Sequence, residues 1–378
     1  MKNAILIGAG AEIGSNLLLQ NDPQADGFII TSVITNPPPT DKHYPHLRPI
    51  DGIFAKLALA SPGVHSNIKI LSDNELSIDG RTITFYFGNI KVDKIEIPDV
   101  FDIAFLATSK NDISATSDLM VKLKSFCNII LGVAEADNLP SIYSCLVDLT
   151  PSDIPTIKCR TITEGIFCLG SCQTNGMHAS LRVMLEAIRP LNLNAQSIIS
   201  IATDIVHPDT PNGVLGTRSF EGRMQDARDN LRPSFSQIAQ SQGKVLPWAP
   251  LINTVSLRAP VHAPGYQINR FIIEDHGALT LDHINFAINS IYNQSPHIVK
   301  RTDTPLGSRA YSNDKRCATI LTDPHHLIIS RPEYLSKQNL SEIIMQSFVS
   351  NTVGYASLVI NIARNISNNI PVAVFKGL

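Results

Sequence analysis

The sequence predicts two domains: an α/β domain on a doubly wound, mostly parallel sheet, then an α+β domain with a mainly antiparallel sheet. Three observations predict this. The chain has 378 residues, more than one hydrophobic core usually serves. Buried strand-like runs alternate with helix-like runs through the first 130 or so residues, the pattern of a parallel sheet with crossover helices. Beyond Cys172 the runs at 197–206, 252–260 and 266–274 read as strands with few helices between them. The expected division is 1–171 with 351–378 as one domain and 172–350 as the other.

In chain order, Ala4–Ile7 is a short buried strand. Gly8–Gly14 is a glycine-rich turn, and Ile13–Leu19 opens a helix. Phe28–Ile34 is a second strand, closed by the stiff run Asn36-Pro37-Pro38-Pro39. Asp79-Gly80, flanked by alternating residues, marks a hairpin over Glu75–Phe87. Ile103–Leu106 and Asn128–Val133 are further buried strands with a helix between them. A helix follows over Thr174–Ile188, another over Thr280–Tyr292 with Thr280 as N-cap, and a last one over Ser350–Ile366.

Composition narrows the function. Charged residues make up 17% and the formal net charge is −2, without the basic excess of a nucleic-acid-binding protein. No apolar stretch approaches the roughly 20 residues that span a bilayer. The N-terminus turns into the glycine motif too early for a signal peptide, and the six cysteines show neither metal-type nor disulfide-type spacing. The expectation is a cytoplasmic protein with free thiols, no membrane association and no bound metal.

Two features carry chemistry. The turn Gly8-Ala9-Gly10-Ala11-Glu12-Ile13-Gly14 lies between a strand and a helix, where glycines let a pyrophosphate approach a helix N-terminus. Its spacing is one residue longer than the usual dinucleotide fingerprint; the expectation is a Rossmann-type domain binding NAD or NADP. The second strand ends at Thr35-Asn36-Pro37 without the carboxylate that selects NAD, and Lys42, His43 and Arg48 just beyond it lean toward NADP or dual use. The second feature is Cys172, at the start of a helix. Unpaired backbone N–H groups and the positive end of the dipole favour thiolate there, and a histidine in reach would complete an activated nucleophile.

Several motifs then converge. Ser171-Cys172-Gln173-Thr174-Asn175 resembles the S-C-T-T-N signature of the glyceraldehyde-3-phosphate dehydrogenase family. Leu76–Ile83 is similar to its L-V-I-N-G-x-x-I hairpin and Val206-His207 to its T-V-H strand. Asp226-Ala227-Arg228 falls at the family's spacing after that histidine, and 230–247 aligns without gaps. Leu257-Arg258-Ala259-Pro260 resembles F-R-V-P, and Asn351-Thr352-Val353-Gly354-Tyr355 resembles N-E-x-G-Y. The ordered set covers nearly the whole chain. The resemblance implies hydride transfer from a hemithioacetal on Cys172 to a nicotinamide, followed by release of a thioester to an acceptor. It implies that His207 is the base, that Arg258 binds an anionic substrate group with Thr210 beside it, and that Ser171 and Ser236 line the substrate site. Asn351 would hold the nicotinamide carboxamide, while Gly8, Gly10, Ile13, Gly14, Asn36 and Thr108 would line the cofactor cleft. It also implies a homo-oligomer, a tetramer or a dimer, contacting through the loop 208–227.

The departures shape the functional expectation. The threonine after the nucleophile is Gln173, and the phosphate-binding Ser-Thr-Gly reads Phe235-Ser236-Gln237. Two positions of the inorganic-phosphate pocket thus carry the same bulky amide, which points to a changed acyl acceptor or substrate. The separation between Cys172 and His207 exceeds that of typical members. The expected function is an NAD(P)-dependent oxidoreductase interconverting a small anionic, possibly phosphorylated, aldehyde and an acyl derivative. The alternatives are acyl transfer or thioester reduction with an acyl carrier or coenzyme A, and a non-catalytic binding protein that keeps the fold. His178 reads as a packing residue, His325-His326 as loop residues, and Cys127, Cys145, Cys159, Cys168 and Cys317 as buried small hydrophobes.

Overall fold

The computed structural model describes residues 1–38, 43–60, 64–97, 99–108, 110–114, 116–208, 231–249, 251–261, 264–302, 306–311, 317–321 and 327–377. The chain forms two compact units. One comprises Met1–Ile142, Arg160–Gly170 and Val359–Gly377; the other comprises Tyr143–Cys159 and Ser171–Leu358.

The first unit is built on β1 (Lys2–Ile7), β2 (Phe28–Thr35), β3 (Ile68–Ile70), β4 (Glu75–Ile78), β5 (Arg81–Phe87), β6 (Phe101–Leu106), β7 (Cys127–Gly132) and β8 (Gly165–Cys168). Their order across the sheet is β3-β4-β5-β2-β1-β6-β7-β8. All pairs from β5 to β8 are parallel, and only the β3-β4-β5 edge is antiparallel. Such strands are covered on both faces, which is why Ala4–Ile7 and Ile103–Leu106 are unbroken apolar runs, all buried. After β1 the chain moves outward on one side to β2, then returns to β6 on the other side. The strand order therefore reverses at β1, and crevices form at the carboxyl ends of strands at such a point.

Local chemistry sets these elements. Asp79 and Gly80 take φ of 49° and 79°, so the β4–β5 hairpin has the left-handed two-residue turn that Asp-Gly favours. Helix α1 (Glu12–Gln20) buries Leu17 and Leu18, and α2 (Pro49–Ala60) buries the stripe Ile50, Ile53 and Leu57. Helix α3 (Asp118–Lys124) is capped by Ser117, whose Oγ accepts from Met120 N at 3.2 Å.

The second unit carries a mixed sheet of β9 (Ile198–Pro208), β10 (Arg232–Pro233), β11 (Leu251–Ala259), β12 (Gly265–Glu274), β13 (Val299–Arg301), β14 (Thr319–Leu321), β15 (Leu327–Ser330) and β16 (Leu340–Val349). The order is β10-β11-β9-β12-β16-β14-β13, with β15 also on β16. The sheet is less uniformly antiparallel than the sequence predicts: β9 runs parallel to β11, and β13 to β14. Parallel neighbours need a crossover, and α5 (Ile238–Val245) lies in the connection between β9 and β11.

Helix α4 (Cys172–Ile188) packs on β12 and β16 and against α6 (Leu281–Gln294). Nearly every residue after Cys172 is buried, because α4 is covered on more than one side. Thr280 caps α6 through a capping box in which His283 occupies the third position. The last helix is α7 (Val353–Ser367). Among the described residues, no helix is long and apolar enough to cross a membrane.

Candidate active site

In the second unit, Cys172 is the first residue of α4 and is half-buried. Ser171 precedes it as N-cap in an extended conformation, its Oγ accepting from Thr174 N at 3.1 Å. The helix has seventeen residues and no acidic residue in its first turn. The positive end of its dipole therefore lies at Cys172, with no carboxylate in the first turn of the helix. Thr174 Oγ1 lies 2.9 Å from Ser171 Oγ and 3.0 Å from Ser241 Oγ, joining the helix start to α5. The residues just before α5 are Ser236, whose Oγ accepts from Ile238 N at 3.4 Å, and Gln237, whose carbonyl accepts from Gln240 N and Ser241 N.

His207 and Arg258 sit side by side. They are register partners on the parallel strands β9 and β11, both half-buried. Partners at one level of parallel strands project from the same face of a sheet. The ends of these strands meet the start of α4 at Gly265. A Cβ there would lie 2.9 Å from Gln173 Nε2 and 3.1 Å from both Val206 O and Pro208 Cδ. Glycine at 265 thus lets the residue after Cys172 approach the residues flanking His207.

Gln173 is buried to 1% exposure. Its Nε2 donates to Asn351 Oδ1 at 3.2 Å, and Gln267 Nε2 donates to the Gln173 carbonyl at 3.0 Å and to Gln173 Oε1 at 3.3 Å. Its amide is thus engaged inside the unit. Asn351 is half-buried just before α7. The structure therefore gathers Ser171, Cys172, Gln173 and Asn351 at one end of α4 and places His207 with Arg258 on the strands that end there. Thr210 and most of the loop 208–227 lie outside the described residues, as do Asp226–Arg228, Lys42 and His325-His326.

In the first unit, Gly8 follows β1 with φ of 98°, and a Cβ would stand 2.6 Å from Ala107 O. At Gly14, at the start of α1, a Cβ would stand 2.3 Å from Gly8 O, so only glycine lets the helix start so close to the turn. Gly10 is exposed, its nearest neighbour being Thr35 Oγ1, and Ile13 is half-buried. Thr108 lies over Gly8, and its Oγ1 is buried without a hydrogen-bond partner. Lys56, from α2, donates to the Gly10 carbonyl and brings a cation to the turn. The sequence reading missed this lysine, because nothing in a helix marks which lysine curls toward a loop. A cradle that a side chain would fill, a helix N-terminus, an ammonium and an orphaned hydroxyl together fit a pyrophosphate-containing group. Asn36 is exposed after β2, and Arg48 is held by Asp51 at 3.0 Å and Asp73 at 2.8 Å.

The remaining candidates serve packing. His178 is fully buried, its ring 4.4 Å from that of Tyr143, and burial pushes its pKa down to about 3, so it is neutral. Burial raises the Cys127 thiol to about 12 and pushes Cys145 higher still. Cys168 and Cys317 are buried as well. Cys159 corrects the expectation: it is exposed, with Sγ donating to Leu149 O at 3.3 Å. Among the described residues, no group of three or more His, Cys, Asp or Glu side chains could hold a metal.

A cleft of about 540 Å³ lies at the other end of α4, roughly 20 Å along the helix from Cys172, lined by Asp148, Asp153, Arg182, Glu186, Arg189 and Phe286 among others. Its charges satisfy one another: Arg182 pairs with Asp148 at 2.6 Å and Glu186 at 3.1 Å, and Arg189 with Asp153 at 2.9 Å and Glu186 at 2.6 Å. Size alone does not make it the reactive site. No known protein-family pattern matches this chain, and no curated protein matches it.

Proposed function

We propose that this protein is an NAD(P)-dependent oxidoreductase that interconverts a small anionic aldehyde and an acyl derivative through a thioester on Cys172. The observation that carries the reading is a half-buried cysteine at the first position of a capped helix, with His207 and Arg258 in register on the strands that end at that helix start. The Cys172 thiol adds across the aldehyde C=O: a C–S bond forms, the C=O π bond opens, and the thiol proton passes to the oxygen to give a hemithioacetal. His207 takes the proton from the hemithioacetal oxygen as the carbon gives up a hydride. The glycine turn, Lys56 and Thr108 are the residues that would hold the pyrophosphate of a nicotinamide dinucleotide, which would supply the hydride acceptor. An acyl acceptor then attacks the thioester carbon, the C–S bond breaks, and the thiolate returns. Arg258 holds the anionic group of the substrate, because a guanidinium there selects carboxylate or phosphate.

The test is reduction of NAD or NADP with a panel of phosphorylated and carboxylated aldehydes. His207→Asn is expected to lower kcat by about 10²–10⁴-fold with little change in KM. An unchanged kcat would remove His207 from the chemistry. The cofactor half is tested separately by Gly8→Ala. The added methyl meets Ala107 O at 2.6 Å on a left-handed backbone, so local strain on the order of 1–3 kcal/mol is expected. Calorimetric titration should show dinucleotide affinity reduced at least about tenfold, since 1.4 kcal/mol corresponds to that factor. Equal affinity in the folded variant would place the cofactor elsewhere.

A further inference from the structure

A line of side-chain amides crosses the core of the second unit and ends beside the nucleophile. Thr203 Oγ1 donates to Asn269 Oδ1 at 3.0 Å, and Asn269 Nδ2 donates to Gln267 Oε1 at 3.1 Å and to Ser180 Oγ at 3.0 Å. Gln267 Nε2 donates to Gln173 Oε1 at 3.3 Å, and Gln173 Nε2 donates to Asn351 Oδ1 at 3.2 Å. Thr203, Asn269 and Gln267 are fully buried, and Asn351 at the far end is half-buried. Asn269, Gln267 and Gln173 each accept from the residue behind and donate to the one in front.

The direction is fixed by one bond. Gln267 Nε2 also lies 3.0 Å from the Gln173 carbonyl, and a carbonyl only accepts. That atom of Gln267 must therefore be nitrogen, so its oxygen faces Asn269 and its second proton faces Gln173 Oε1. Gln173 must then turn its own N–H2 to Asn351, whose oxygen is thereby taken. The N–H2 of Asn351 is then left at the end of the line. Hydrogen bonds running one way polarise each other, and turning any one amide would set oxygen against oxygen or N–H2 against N–H2.

We infer that Thr203, Asn269, Gln267 and Gln173 are positioning residues that fix Asn351 as a hydrogen-bond donor toward a carbonyl oxygen of the ligand. This rests on the proposed function, in which that oxygen belongs to the carboxamide of the nicotinamide cofactor. Gln173, next to the nucleophile, then acts through Asn351 rather than by filling an acyl-acceptor pocket.

Gln173→Glu tests the polarity. A carboxylate at 173 still accepts from Gln267 but cannot donate, so Asn351 must turn its N–H2 inward and present oxygen. Acidic residues are favoured in the first turn of a helix, which supports folding of this variant. The full chain is titrated with NAD(P) and with the 3-acetylpyridine analogue, which keeps the carbonyl oxygen and lacks the amide N–H2. Wild type should bind the two within about twofold. The variant should disfavour the analogue by about a further tenfold, the worth of one strong hydrogen bond. An unchanged ratio overturns the inference. A second measurement uses wild type alone, labelled with ¹⁵N in its asparagine and glutamine side chains. The N–H2 pairs of Gln173, Gln267 and Asn269 should exchange slowly with solvent, and rapid exchange at Gln173 or Gln267 overturns the line whether or not a dinucleotide binds. Slow exchange without binding of any dinucleotide would keep the line, remove the cofactor as its ligand and refute the proposed function.

Discussion

Cys172→Ala is expected to lower kcat/KM for aldehyde oxidation on the order of 10⁴-fold or more while leaving dinucleotide affinity within about twofold. The loss is large because none of the other five cysteines is placed to take over the attack. A thiol buried in apolar surroundings stays protonated, and Cys127 and Cys145 are both pushed upward by burial. Cys168 and Cys317 are enclosed as well. Cys159 is accessible but does not begin a helix, so Cys159→Ala should keep full activity and serves as the control. Mass spectrometry supplies the second arm. With the aldehyde, oxidised cofactor and no acyl acceptor, wild type should gain an acyl group on the peptide containing Cys172, and the alanine variant should gain none. Equal turnover by wild type and Cys172→Ala would refute a thioester route, and an adduct confined to Cys159 would mark non-specific acylation.

The sequence exposes those parts of the molecule where backbone geometry demands a particular residue. Gly8 at φ of 98°, the left-handed Asp79-Gly80 turn and the Thr280 cap are such places, and each is legible from residue type and position. Ser171 before Cys172 is another, which is why the start of α4 stands out in the sequence. Strand β16 is not legible, although it lies inside the second sheet. Its inward positions include Ser341 and Ser347, while Leu340 and Ile344 point the other way, so burial alternates but hydropathy does not. The amide line is hidden for the same reason. Thr203, Gln267 and Asn269 look like solvent-facing positions of strands until their partners are known, since one chain of letters cannot distinguish a hydrated amide from a bonded one. Nothing in the residues around Gln173 shows its bonds to Gln267 and Asn351.

Asp275→Ala is expected to destabilise the second unit by about 3–5 kcal/mol at neutral pH, the usual result of removing one partner of a buried charge pair. Asp275 follows β12 and its side chain is fully buried. Its carboxylate accepts from Ser341 Oγ at 2.7 Å, Arg331 Nη2 at 3.0 Å, Leu279 N at 3.1 Å and Gly277 N at 3.2 Å. It thus ties the end of β12 to β16 and to the residue that follows β15. Burial alone would raise its pKa, but the Ser341 hydroxyl, the Arg331 guanidinium and the two backbone N–H groups outweigh it and hold the carboxyl below the usual carboxylate range. A folded-state pKa below the unfolded value of about 3.9 gives stability that is fully present above that value and lost as pH falls through the folded one. Denaturant unfolding should therefore show a constant gap between wild type and variant from pH 6 to 8, shrinking below about pH 4. A gap under about 1 kcal/mol, or one that persists unchanged into acid, would mean that the carboxylate is not ionised and bonded as described. Asp275 lies at the opposite end of β12 from Gly265, about 30 Å along a strand of ten residues. The folded variant should accordingly bind NAD(P) and its acetylpyridine analogue in the wild-type ratio, which separates loss of sheet stability from loss of the polarity that Gln173 imposes on Asn351.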